Sequence, residues 1–66
     1  MEQELMLSYL VKFSQNGESL FAPVDIVAPT TAKADQIVNL VREQLIASFG
    51  DGFQVLNICL LKSIIL

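Results

Sequence analysis

The dipeptide Asn16-Gly17 constrains this chain more than any other pair of residues in it. Asn-Gly accepts the two left-handed positions of a type I′ turn, the connection that matches the twist of a tight hairpin. A two-residue turn there puts Phe13 opposite Leu20, Val11 opposite Ala22, Tyr9 opposite Val24, Leu7 opposite Ile26 and Leu5 opposite Ala28. All of these pairs are apolar and all share one face. A slip of one residue would throw the set onto the other side of the sheet, so turn chemistry and hydrophobic pattern specify the same register independently.

The first strand runs from about Glu4 to Ser14, with Ser8, Lys12 and Ser14 among its even positions, the period-2 pattern of a half-buried strand. The second, from about Ser19 to Ala28, points Leu20, Ala22, Val24 and Ile26 inward and Phe21, Pro23, Asp25 and Val27 outward. Pro23 falls opposite Leu10 at a non-hydrogen-bonded site, where the missing N–H would have pointed away from the first strand. A proline there is tolerable only on an edge, so the third strand is expected to pair with the first.

Pro29-Thr30-Thr31 marks a helix start with a threonine as N-cap and no Glu or Gln at the capping-box position. Ala34, Ile37, Val38, Val41, Leu45 and Phe49 then fall on one side at the helical period, opposite Gln36, Asn39 and Glu43. Gly50 supplies a left-handed stop and Asp51-Gly52 turns the chain back. From Phe53 to about Leu66 the chain reads as a strand. Leu56, Ile58 and Leu60 are expected to face the helix, because the other choice would bury the polar Asn57. With a right-handed crossover that skips the middle strand, the whole is a single α+β domain: a two-layer ββαβ fold, its three-stranded antiparallel sheet ordered 2-1-3 under one helix.

A 66-residue chain lies near the lower limit for folding alone, where only about 60% of the unfolded surface becomes buried. Ordering costs roughly 1.5 kcal/mol per residue, and small domains offset it with disulfides, a metal or a partner subunit. Cys59 is the only cysteine and there is no histidine, which removes an internal disulfide and the common zinc ligand sets. No cofactor or metal is expected, and association is the route left. Composition agrees: 53% hydrophobic against 17% charged residues is more apolar material than so small a core can enclose.

No run of about 18 apolar residues exists, so no membrane span is expected. The beginning, Met1-Glu2-Gln3-Glu4, is acidic where a secretory signal is basic, and with the free cysteine it leads us to expect a cytoplasmic protein. The formal net charge is -3, and Lys12, Lys33, Arg42 and Lys62 are scattered over all the predicted elements. Binding to a phosphate backbone needs clustered cations, so nucleic acid is not an expected partner.

Few residues could carry chemistry. Cys59 lacks a histidine to make it a thiolate, and we assign it to packing. Glu2, Glu4, Glu18, Asp25, Asp35, Glu43 and Asp51 sit singly, whereas acid–base catalysis by paired carboxylates needs two held in a cleft. Gly50-Asp51-Gly52 follows the negative end of a helix dipole and lacks the Lys and Ser/Thr of a phosphate loop. Phe21 with Lys12 opposite it would make a meagre platform for stacking bases. An enzyme is not expected.

What survives is a surface. Met6, Leu10, Phe21, Val27, Val55, Cys59, Leu61 and Ile65 project away from the helix in this register, and the third strand's outer edge carries only Lys62 as a gatekeeper. Monomers rarely leave such a patch or edge open. The expectation is therefore a non-enzymatic protein-interaction domain, homodimeric and acting on a larger protein partner. An inhibitor of the kind phages and mobile elements encode, such as an anti-CRISPR or other anti-defence protein, fits a short acidic chain that works by occlusion. The alternatives are a structural subunit of a larger hetero-assembly and, last, a single-stranded nucleic-acid binder. Stacked sheet faces and paired edge strands are both open as dimer geometries.

Overall fold

A computed structural model describes residues 3–66; the acidic residue Glu2 and the initial Met1 lie outside the described residues. Four elements follow one another: β1 (Glu4–Gln15), β2 (Glu18–Pro29), α1 (Ala34–Phe49) and β3 (Phe53–Ile65). The sheet order is β2-β1-β3, antiparallel at both contacts, so the fold is the expected two-layer α+β domain with Pro23 on an edge strand.

Asn16 and Gly17 both have positive φ, 54° and 80°, as the tight hairpin demands. The β1–β2 ladder is in the register set by hydrophobic pattern: Leu5 to Ala28, Leu7 to Ile26, Tyr9 to Val24, Val11 to Ala22 and Phe13 to Leu20, with Pro23 opposite Leu10. Leu7, Val11, Phe13, Ala22, Val24 and Ile26 join Val41 and Leu45 of the helix in one buried cluster. Burying side chains such as Val41 and Leu45 stabilises by about 1.5–3 kcal/mol each. Phe13 is completely enclosed, its ring centroid 4.9 Å from that of Phe49 and 5.9 Å from that of Phe53. Gln15 Nε2 donates to the Phe49 carbonyl at 2.7 Å, tying the hairpin end of β1 to the helix C-terminus.

The helix begins later than the threonines suggest. Pro29 accepts a turn hydrogen bond from the Ala32 N–H at 3.0 Å, and Lys33, extended at φ -87° and ψ 164°, is the N-cap. That shift puts Gln36 at the third helical position, where its Oε1 accepts from the Lys33 N–H at 2.8 Å. One half of a capping box therefore exists, formed by Gln36, which the helical period places on the polar side of the helix. The helix does stop at Gly50, whose N–H donates to the Ile46 carbonyl at 2.9 Å, but with φ 77° and ψ -173° the glycine adopts an extended positive-φ conformation and not the left-handed helical one expected.

The helix does not lie centrally. It packs over β2 and the β2 side of β1, where the small inward residues Ala22 and Ala28 permit close approach. All four inward residues from Ala22 to Ala28 are buried, whereas the strand on the far side of β1 is largely uncovered.

β3 departs most from expectation. Its ladder with β1 is interrupted twice: Leu56 and Leu61 are extra residues, between the pairs Phe13–Val55 and Lys12–Asn57 and between Tyr9–Leu60 and Ser8–Lys62. Each bulge reverses which residues face the helix. Val55 thus shares the face of Phe13 and packs against the core instead of projecting away from the helix. Ile65, opposite Leu5, lies on the helix side too, and Leu56, expected to face the helix, is a bulge residue. Ile58 and Leu60 do fall on the helix side, and Asn57 and Cys59 on the outer side. The two phase changes put Gln54, Asn57 and Lys62 on the outer face together, which no uninterrupted strand could do with spacings of three and five.

Candidate protein interface

On the outer face the residues stand in cross-strand rows: Val27–Met6–Ile64, Asp25–Ser8–Lys62, Pro23–Leu10–Cys59, Phe21–Lys12–Asn57 and Ser19–Ser14–Gln54. Met6 and Leu10 are half-buried on the central strand, while Phe21 and Val27 stand exposed on β2. Lys12 Nζ lies 5.8 Å from the Phe21 ring centroid, so the cation covers part of that aromatic. The row through Ser8 splits the apolar residues into two bands. Met6, Leu10, Phe21, Val27 and Cys59 share this face as expected, but they do not form one unbroken patch.

Cys59 is exposed, although a packing role implied burial; it sits on an edge strand with Leu10 beside it, and no strand covers its other side. Its Sγ makes a long contact of 4.0 Å to the Leu60 carbonyl.

The larger exposed apolar surface belongs to β3 itself. Leu60 is 52% exposed, Leu61 57%, Ile64 42%, Ile65 65% and Leu66 64%. Leu60 and Ile65 are on the helix side but beyond the helix's reach, and the helix turns Val38 and Ile46, both exposed, along its own flank. Arg42 places its guanidinium carbon 5.8 Å from the Phe53 ring centroid, capping the end of β3 where the core does reach it. The molecule measures 44 × 19 × 17 Å and exposes 4601 Å², against about 4,200 Å² expected for a folded monomer of this mass. The excess is what an elongated sheet with an uncovered strand produces.

The backbone of β3 is as open as its side chains. Gln3 accepts from the Thr30 N–H at 3.0 Å and Glu4 accepts from the Leu66 N–H at 2.9 Å, so successive residues of the first strand address opposite neighbours. Carried along an antiparallel ladder, that alternation turns the backbone groups of Gln54, Asn57, Cys59, Lys62 and Ile64 toward β1. Those of Phe53, Val55, Ile58, Leu60, Ser63 and Ile65 point to the free edge. The residues with helix-side side chains are the same residues whose N–H and C=O groups lack a strand partner.

Sequence reasoning missed Leu60, Ile64, Val38 and Ile46 as surface residues. The parity clash among Gln54, Asn57 and Lys62 is the one signal that announces the bulges.

Elsewhere, a depression of about 280 Å³ between the end of β2 and the helix is lined by Pro29, Ala32, Gln36, Asn39, Leu40 and Glu43. Its only charge is one carboxylate. Among the described residues no three metal-ligating side chains come together, and no helix is long and apolar enough to cross a membrane. No protein family, curated protein or solved structure matches the chain.

Proposed function

We propose that this chain is a non-enzymatic protein-interaction domain that associates with a second copy of itself through β3 and binds or occludes a larger protein. The observation that carries the reading is the coincidence on β3 of an unpaired backbone edge with the exposed side chains Leu60, Leu61, Ile64 and Ile65. An open edge templates strand addition, and apolar side chains along it supply the burial that makes addition favourable. The outer face is the weaker candidate, because the Asp25–Ser8–Lys62 row would bring charged groups into a stacked interface.

The thinness of the core supports the same reading. A domain of this size gains folding stability from the area it buries against a partner, at about 25 cal/mol per Å², less the costs of ordering and association. In a reducing compartment such as a cytoplasm Cys59 stays a thiol and the association is non-covalent. An occluding inhibitor, of the kind mobile elements direct against host defences, needs only such a surface and no catalytic group.

Sedimentation equilibrium at micromolar concentration tests the proposal. The expected mass is twice 7.3 kDa. A well-folded monomer with no tendency to associate contradicts self-association and assigns the β3 surface to a non-identical partner.

A further inference from the structure

We infer that the two copies join in one particular register, β3 antiparallel to β3, with the two-fold axis at Leu56-Asn57. The inference rests on the association proposed above and concerns the geometry that the two bulges impose.

A bulged edge is a poor template for a regular strand, since the extra residue breaks the alternation of donors and acceptors. Leu56 and Leu61 therefore exclude most foreign strands from β3. They do not exclude a strand bulged at the same place. From Val55 to Ile58 the strand advances only as far as Phe13 to Val11 on its neighbour. Two copies related by an axis at Leu56-Asn57 carry that same compressed segment opposite each other. Val55 then lies opposite Ile58 of the second copy, and Phe53 opposite its Leu60. All four positions direct their backbone groups to the open edge and their side chains to the helix side, so hydrogen bonding and burial are satisfied by one register. The second bulge, at Leu61, falls beside the second copy's Gly52, beyond the start of its strand.

One rival register also matches bulge to bulge, with the axis at Leu61-Lys62. It pairs Leu60 with Ser63 and Cys59 with Ile64. It also brings the two Lys62 side chains together on one face at the axis, where like charges oppose the pairing. Lys62 is the only charged residue of β3. In the favoured register it is carried instead to the Gly50-Asp51-Gly52 turn of the second copy, beside the carboxylate of Asp51. Bulge geometry allows both axes; charge and apolar matching choose the one at Leu56-Asn57. Because a two-fold axis in this pairing stands perpendicular to the sheet, the dimer has six continuous strands with both helices on one side.

The native Cys59 makes the register readable. In the favoured axis Gln54 lies opposite Cys59 of the second copy as a non-hydrogen-bonded pair. Such pairs have a Cα separation of about 4.5 Å, within disulfide range. Within one chain the two positions span only the four steps from Ser14 to Leu10 on β1, roughly 13 Å at about 3.3 Å per residue, which is still too far to bridge. Oxidation of Gln54→Cys with diamide is expected to give a covalent dimer on a non-reducing gel, whereas Ile64→Cys and Gln54→Cys/Cys59→Ser remain unlinked. Independently, Lys62→Asp should weaken the dimer about tenfold, and adding Asp51→Lys to it should restore most of the loss. Crosslinking through Ile64→Cys in place of Gln54→Cys overturns the register in favour of the rival axis. A sedimenting dimer that crosslinks through neither overturns it while leaving the association intact, and a monomer at every concentration defeats both.

Discussion

Tyr9 and Leu60 are cross-strand partners on the helix side of the sheet, yet Tyr9 is half-buried and Leu60 is more exposed than covered. Between these two side chains the helix's cover ends. On one side of that line Ala22 and Ala28 let α1 settle onto the sheet; on the other, Leu60 and Ile65 of β3 stand more than half exposed. The account of function follows from that boundary.

Leu60→Asp places a charge on the uncovered side of the line. Because Leu60 is half in solvent, the monomer should lose no more than about 1 kcal/mol, as surface changes do. The dimer should weaken by at least about tenfold if Leu60 is buried at its interface. Sedimentation velocity with circular dichroism separates the two effects, and Asn39→Asp, at an exposed position of the helix, is the control. Equal behaviour of the two variants would remove Leu60 from the interface.

Phe13→Ala attacks the covered side. Phe13 is wholly enclosed between Phe49 and Phe53, so the change opens a cavity and costs about 3–5 kcal/mol. A domain this small has little stability to spare, and urea denaturation should show it largely unfolded without denaturant. A loss under about 1 kcal/mol would mean that the aromatic cluster is not the anchor of the helix.

Pro23→Val restores a donor on the outer edge of β2, where the proline's nitrogen faces away from Leu10 and β1. The fold should persist while aggregation, followed by light scattering on warming, increases. Unchanged scattering would show that the proline does not protect that edge.

Gln36→Ala removes the acceptor that holds the Lys33 N–H at the helix start. The expected cost is about 0.5–1 kcal/mol, read as a small fall in the denaturation midpoint with the dimer affinity of the folded protein unaltered. No change in the midpoint would show that this contact adds nothing to the stability of the helix start.

The hairpin, the sheet order and the end of the helix at Gly50 were legible in the sequence because specific residues mark each of them. Asn16-Gly17 and the alternation from Leu5 to Ala28 agree on the register, Pro23 on the edge, and Gly50 falls where the helical period ends. The helix start was not, because Thr30 and Thr31 look like caps while the turn through Pro29 and Ala32 delays the helix to Lys33. The facing of β3 was legible only in part. Alternation predicts side-chain direction as long as no residue is inserted, and Leu56 and Leu61 look like any other strand leucines. The candidate interface moved accordingly: Val55 packs half-buried against the core, Ile65 went to the helix side, and the exposed apolar surface shifted from the back of the sheet toward its edge.

The central claim is that the free edge of β3 is covered by a second copy. Hydrogen–deuterium exchange at the amides of Val55, Ile58 and Leu60, measured as a function of protein concentration, tests it most directly, since these N–H groups have no partner within their own chain's sheet. The account predicts rapid exchange when the chain is dilute and monomeric, and protection that grows as dimer forms, with Cys59 protected throughout by its pairing to β1. Exchange at Val55, Ile58 and Leu60 that stays fast while the protein dimerises would contradict it and move the interface off this edge.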